Sequence, residues 1–302
     1  MLINLIHPTN NLAPQCKNTV QFNKIFYRNL FQLAIDGPAA SGKSSTARIA
    51  AQRLKFEYID SGSNRAMYRV VTLAALRQNL SPVSPEDASK ITQLTATSHI
   101  HLHTIFNPPT ISSSKPLSLP QTLIYLNGED VTHEIRSPEI TKNISGIASN
   151  PDVRKLLVEK QRAFANGIYY KDENLSSSKL NAIRKPMKGI VMDGRDVGTV
   201  ILPNADLKIF VTASAKVRAI RRFKELQQQQ SRTKNSSQIV DFNKVLEDLE
   251  KRDKSDYERK ISPLKKADDA VLLDTSDMSV MEQADKIISL VLERAKEKNI
   301  DL

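Results

Sequence analysis

Gly37-Pro38-Ala39-Ala40-Ser41-Gly42-Lys43-Ser44 fits the pattern Gly-x-x-x-x-Gly-Lys-Ser at each fixed position, with Ser45 directly behind it. In such a turn the backbone N–H groups and the helix N-terminus cradle the β-phosphate of a nucleoside triphosphate. The lysine, here Lys43, bridges the β- and γ-phosphates, and the hydroxyl, here Ser44, ligates Mg²⁺. The chemistry needs a strand before the turn and a helix after it, and the apolar run from Leu33 and the helical pattern beyond Lys43 meet that need. By itself the turn leaves motors, G proteins, helicases and kinases open. The chain has no Asn-Lys-x-Asp segment of the kind that reads guanine, which weakens the G-protein reading.

Two further charged segments narrow the choice. Asp193-Gly194-Arg195-Asp196-Val197-Gly198-Thr199 follows the apolar run Gly189 to Met192, so its charges emerge at the carboxyl edge of a sheet, where open α/β folds bind ligands. A surface turn held by a salt bridge is the alternative. Arg252, Asp256 and Arg259 fall at i, i+4 and i+7, one face of a helix. Alone that is a solvated face; beside a phosphate-binding turn it reads as a mobile arm whose arginines clamp a transferring phosphoryl group. Arg218, Arg221 and Arg222, at the start of this charged region, are weaker candidates for a triphosphate contact.

The elements that must position these residues alternate. Strands are expected at Leu33 onward, Phe56 to Ile59, Gly189 to Met192, Leu207 to Val211 and Ala270 to Leu273, near-continuously apolar as buried parallel strands are. With helices between them they predict an α/β fold, a parallel sheet covered on both faces. Two stretches break the rhythm. His99 to Val131 alternates like a small β-rich insertion around the Pro/Ser-rich run Asn107 to Pro120, and Arg218 to Lys266 reads as a charged helical hairpin with a bend at Asn235-Ser236-Ser237. Lys171 to Lys188 reads as a loop, and Val280 to Lys298 as a closing helix.

The bulk numbers fit one α/β domain with insertions: 302 residues, 40% hydrophobic and 25% charged. The formal charge of +11 signals anionic partners. Its cations are spread along the chain with few aromatics among them, so a small phosphorylated substrate is favoured over a stable nucleic-acid partner. A single cysteine, Cys16, excludes an internal disulfide framework, and no run of about 18 apolar residues is present to span a bilayer. Residues 1–32 contain Lys17, Lys24 and Arg28 but no acid, which suggests a mitochondrial presequence; a plain leader on a cytoplasmic protein is the alternative.

These blocks, taken in order, resemble the bacterial-type cytidylate kinases of the P-loop nucleoside monophosphate kinase superfamily. The likeness rests on Ile35 to Lys43, Tyr58 to Gly62, Ala66-Met67-Tyr68-Arg69, Asn127 to Val131, Glu134-Ile135-Arg136, Gln161 to Phe164, Asp193 to Thr199, Arg252 to Arg259 and Ser262-Pro263-Leu264. The resemblance implies a P-loop NTPase fold over 33–302: a core of about 33–80, 145–217 and 262–302, an enlarged monophosphate-binding insertion over 81–144, and a helical lid over 218–261. It implies ATP and CMP or dCMP as substrates, Mg²⁺ brought in with ATP, and a monomer. Ser61, Arg69, Ser145, Arg154, Arg195, Asp196, Arg252, Asp256 and Arg259 would bind the acceptor, with Asp193 in the same segment. Arg69, Arg195, Arg252 and Arg259 would hold phosphates, Ser145, Arg154 and Asp196 would read cytosine, and Asp256 would hold the ribose. Lys43, Arg195, Arg252 and Arg259 would carry catalysis. Another P-loop small-molecule kinase, or a weakly active nucleotide-binding protein, remains the rival reading. One departure falls in the acceptor region: Ser63-Asn64-Arg65 stand between Gly62 and Ala66, nearly one helical turn, enough to shift Arg69 by about 4.5 Å along an axis.

Overall fold

A computed structural model describes residues 24–26, 30–59, 61–105, 121–170, 188–232, 240–259 and 262–302. Five strands form a wholly parallel sheet: β2 (Phe31–Asp36), β3 (Glu57–Ile59), β8 (Gly189–Gly194), β9 (Leu207–Thr212) and β10 (Val271–Asp274), in the order β10-β9-β2-β8-β3. All five expected strands are present. The near-continuous apolar character of β2, β3, β8 and β9 follows from burial on both faces, whereas β10, at the edge, leaves Leu272 exposed. Phe31, Leu33 and Ile35 of β2 face one layer, with Ala47, Ala50 and Ala51 of α1 (Lys43–Leu54) and Ile287, Val291 and Ala295 of α8 (Val280–Glu297). Ala34 of β2 and Ile190 and Met192 of β8 face the opposite layer, with α2 (Ser61–Arg77), α3 (Ala88–Thr97), α4 (Pro138–Ser149) and α5 (Pro151–Ala165).

The β-rich insertion is also present. Strands β4 (Ile100–Ile105), β5 (Gln121–Leu126) and β6 (Glu129–Asp130) make a separate antiparallel sheet. It is stitched to the core at Thr104, whose hydroxyl donates to the carbonyl of Tyr58 at 3.0 Å and whose amide donates to the Glu57 carboxylate. The charged hairpin forms α6 (Ala215–Arg232) and α7 (Phe242–Glu258), packed through Ala219, Val245 and Leu249 onto Ala39 of the phosphate-binding turn. The loops expected around 107–120 and 171–188, and the bend at 235–237, lie outside the described residues, apart from Lys188. No described helix is long and apolar enough to cross a membrane.

Two expectations need correction. The boundary set after residue 32 falls inside β2, where Phe31 is fully buried, and before it β1 (Lys24–Phe26) pairs antiparallel with β7 (Ile168–Tyr170). The end of the supposed leader is therefore built into the fold, because its last residues, Phe31 and Gln32, already belong to a core strand. The helix carrying Arg252 and Asp256 stops at Glu258. The Asp256 carbonyl accepts the Leu264 amide, so Arg259 has extended geometry (φ −62°, ψ 136°) and leaves the helical face.

Burial pushes the Glu57 carboxyl up to about 7, against the two hydrogen bonds from Thr104 that pull it down. A carboxyl whose folded pKa lies above its unfolded value of 4.5 costs stability as pH rises from 4.5 through 7. Glu57→Gln keeps an oxygen for the Thr104 amide and has no proton to lose. Its stability relative to the parent should therefore improve by about 1–3 kcal/mol between pH 5 and pH 8 in urea denaturation. A difference that stays constant with pH would contradict that role.

Candidate active site

The turn between β2 and α1 crosses the carboxyl end of the sheet. At Gly37 (φ 153°) a Cβ would lie 2.0 Å from the carbonyl oxygen of Val211 on β9; at Gly42 (φ 93°) it would lie 2.7 Å from Oε1 of Gln283 on α8. Only glycine lets the backbone pass at either point. The turn is gripped from outside. Thr275 Oγ1 donates to the Ser41 carbonyl at 3.0 Å, Arg221 to the same carbonyl at 3.1 Å, and Arg218 to the Ala39 carbonyl at 3.2 Å. These contacts use the turn's carbonyls, not its N–H groups. Gln283 fixes the start of α1 by accepting the Thr46 hydroxyl at 2.8 Å. Arg218 is also ion-paired with Asp253 of α7 at 2.6 Å, so one buried guanidinium ties the hairpin to the turn. Of the three arginines expected near a triphosphate, two brace the loop from behind, and Arg222 pairs with Glu225 at 2.7 Å.

Lys43 lies inside the turn, its ammonium donating to the Pro38 carbonyl at 3.0 Å. Burial, with Arg195 and Arg252 nearby, pushes it down to about 7, against the opposing pull of Asp193 and Asp36. Three cations therefore converge where phosphates are expected. Beside them the Ser44 hydroxyl donates to Asp193 Oδ2 at 2.6 Å, and the Tyr58 hydroxyl donates to Asp193 Oδ1 at 3.0 Å. Asp193, grouped by sequence with the acceptor residues, faces the phosphate-binding turn instead: it is the fifth residue of β8, with Ile35 of β2 as its neighbour across the ladder.

The segment after β8 carries the other charges. Arg195 Nε donates to Asp256 at 2.7 Å, and Arg259 reaches Asp196 at 3.6 Å, so α7 and the residue after it meet this segment through two ion pairs. Asp196 begins a single π-helical turn, Val197–Ile201. The first two amides of that turn, Val197 and Gly198, donate at 2.9 and 2.7 Å to the buried carboxylate of Asp36, which ends β2. Burial raises Asp36 to about 6, although those two amides pull it the other way.

Tyr68, buried on α2, gathers the rest. Burial raises its hydroxyl's pKa, and Arg154, Asp196 and Arg259 all act on it electrostatically. Arg154 of α5 and Asp196 thus both lie within electrostatic reach of the Tyr68 hydroxyl. Arg69, one residue on, donates to the Ile135 carbonyl at 2.8 Å and to Thr141 Oγ1 at 3.0 Å, anchoring α2 to the insertion. Ser145 is exposed on α4. Ser61 opens α2, but its side chain lies outside the described residues, as do those of Ser63, Asn64 and Arg65, whose backbone is absorbed into the first turns of that helix. Asp36, Tyr58, Tyr68, Thr275 and Gln283 had been given no role from sequence. The first three stand inside the matched blocks, and the last two have no local signal.

The sequence model of the cytidylate kinase family matches residues 33–171 and 173–293. The chain belongs to the cytidylate kinase family. Cytidylate kinase of Listeria welshimeri is 42% identical over 258 residues, covering 85% of this chain and 94% of that protein. Those of Caldanaerobacter subterraneus (38% over 265 residues, 88% and 96%) and a Geobacillus species (40% over 270 residues, 88% and 99%) are similar throughout. In the structure of this family member the P-loop and the segment after β8 lie side by side. These relatives are bacterial and lend the expected mitochondrial presequence no support; residues 1–23 lie outside the described part.

In this cytidylate kinase the depressed Lys43 has a testable consequence. Its folded pKa lies below the ordinary lysine value of 10.5, so at pH 8 it is mostly neutral without ligand, and a polyphosphate should restore its proton. Calorimetry at pH 8 in buffers of different ionisation enthalpy should show uptake of up to about one proton per ATP bound, lost in Lys43→Met. Binding with no proton uptake would contradict the shift.

Proposed function

We propose that this enzyme transfers the terminal phosphoryl group of ATP directly to the phosphate of CMP or dCMP, giving ADP and CDP or dCDP. The observation that carries this reading is the Ser44–Asp193 hydrogen bond at 2.6 Å, which joins the phosphate-binding turn to the strand that ends in the acceptor segment. The cytidylate kinase relatives supply the base; the geometry supports the two adjoining anion sites.

On this reading Gly37 to Ser45 cradle the ATP phosphates, with Lys43 on the β/γ oxygens. Ser44 and Asp193 are a hydroxyl and a carboxylate on adjoining elements, an oxygen donor set that suits Mg²⁺. Bound there, Mg²⁺ would neutralise charge on the β- and γ-phosphates. Arg195 and Arg252, already beside Lys43, stabilise charge on the transferring group, and Arg259 joins them from the end of α7. The ion pairs Arg195–Asp256 and Arg259–Asp196 exchange for substrate, freeing the guanidiniums for phosphate, Asp256 for the ribose and Asp196 for the base. A carboxylate at Asp196 accepts the exocyclic amine of cytosine and repels the carbonyl of uracil, with Arg154 and Ser145 completing the base contacts. Arg69 and Ser61 hold the acceptor from α2. The insertion of 81–144 and the hairpin of 218–261 serve as the acceptor-binding unit and the lid, and one chain supplies every group named.

A panel of nucleoside and deoxynucleoside monophosphates with ATP, followed by ADP release, should show CMP and dCMP as the best acceptors and UMP well behind. Lys43→Ala should lower turnover by about 100-fold or more in a folded protein. Failure of both cytidine nucleotides to accept phosphate would refute the function, and an active Lys43→Ala would refute the assigned P-loop.

A further inference from the structure

Asp36 occupies an unusual place for a carboxylate. It is the last residue of β2, 5% exposed, and pairs across the parallel ladder with Gly194 of β8. Its two oxygens each accept a backbone amide from another segment: Oδ1 that of Val197 at 2.9 Å, Oδ2 that of Gly198 at 2.7 Å. Those are the first two amides of the π-helical turn that Asp196 opens, the groups a helical turn leaves without a partner of its own. An aspartate at the cap position ordinarily satisfies them with its own side chain. Asp196 does not: its side chain makes no capping hydrogen bond and instead meets Arg259 at 3.6 Å.

We propose that Asp36 is a positioning residue for acceptor selection, capping this turn from a neighbouring strand so that the Asp196 carboxylate stays turned toward the acceptor. The proposal rests on the reading of Asp196 as the group that accepts the cytosine amine. Two carboxylates then divide work that one would otherwise do, Asp36 holding the backbone and Asp196 meeting the base. The space around Gly198 belongs to the same device. A Cβ there would come within 3.3 Å of Asp36 Oδ2 and 3.2 Å of Lys208 Cδ, tight contacts that the Asp36 carboxylate or the Lys208 chain would have to relieve by a few tenths of an ångström.

Asp36→Asn is near-isosteric but places an NH₂ group against one of two N–H donors. The turn then loses a cap, and Asp196, at the cap position itself, is drawn to replace it. The readout is the ratio of kcat/KM for CMP to that for UMP. Asp36 also acts electrostatically on Lys43. A change at Lys43 affects both acceptors alike and cancels in the ratio, as does a general loss of stability.

Asp36→Asn should lower the CMP to UMP ratio by about tenfold or more, the scale of a lost hydrogen bond to a charged group. Because it acts through Asp196, the double variant with Asp196→Asn should discriminate no worse than Asp196→Asn alone. Gly198→Ala, whose Cβ would crowd the same Asp36 Oδ2 that the Gly198 amide reaches, should move the ratio in the same direction, and it decides the matter should Asp36→Asn fail to fold. A ratio kept at the parent value in Asp36→Asn, or in Gly198→Ala where only that protein folds, overturns the proposal. Losses that multiply in the double variant, or an Asp196→Asn protein that still prefers CMP, overturn it equally. A parent protein with no CMP turnover defeats the functional reading itself, whereas a CMP-selective parent beside an unchanged Asp36→Asn defeats this proposal alone.

Discussion

Parallel pairing of β2 with β8 is the constraint on which the site depends. Parallel strands end at the same edge of a sheet, so the loop after β2 and the loop after β8 must emerge side by side. Register decides how close they come: Asp36 lies opposite Gly194, and Ile35 opposite Asp193. From that register follow the Ser44–Asp193 hydrogen bond, the two amides that Asp36 takes from the turn after Asp196, and the convergence of Arg195 on Lys43. A slip of one residue along β8 would turn Asp193 to the other face and break all three.

Charge is the second theme. Burial pushes Lys43 down toward neutrality, and Arg195 and Arg252 nearby add to that push. Around this cluster the carboxylates of Asp193, Asp196 and Asp256 are each engaged, by Ser44 and Tyr58, by Arg259 and by Arg195. Phosphate oxygens are the natural replacement partners for the guanidiniums, since a planar fork of donors matches them as well as it matches a carboxylate. On the proposed reading the site is built before substrate arrives, and substrate exchanges partners within it. Bracing of the P-loop by Thr275, Arg221, Arg218 and Gln283 serves the same end, because a donor array that must reorganise during transfer stabilises the transition state less.

Much of this was legible in the residues. Buried parallel strands need continuous apolar runs, so β2, β8, β9 and β10 stood out, and the P-loop carries its own spacing. The small antiparallel sheet announced itself by alternation within His99 to Val131. What stayed hidden were relations between distant segments. No local pattern says that Asp193 turns to Ser44 while Asp196, three residues on, turns to Arg259; that follows from pleat and from the π-helical turn. Nothing near Gln283 or Thr275 marks them as supports of a loop more than 230 positions away. The strand at Lys24–Phe26 was too short to be distinguished from a basic leader. The break after Glu258 came from a carbonyl contact with Leu264, which helical spacing cannot show.

On the proposed reading, side-by-side anion sites on one sheet edge leave no residue that must carry the phosphoryl group between them. The central claim is thus a single displacement, from ATP to acceptor, within one ternary complex. The most direct measurement is the stereochemical course of transfer from ATP made chiral at its γ-phosphorus with oxygen isotopes, followed into CDP. One displacement predicts inversion of configuration. Retention would require two displacements through a phosphorylated enzyme and would contradict the account.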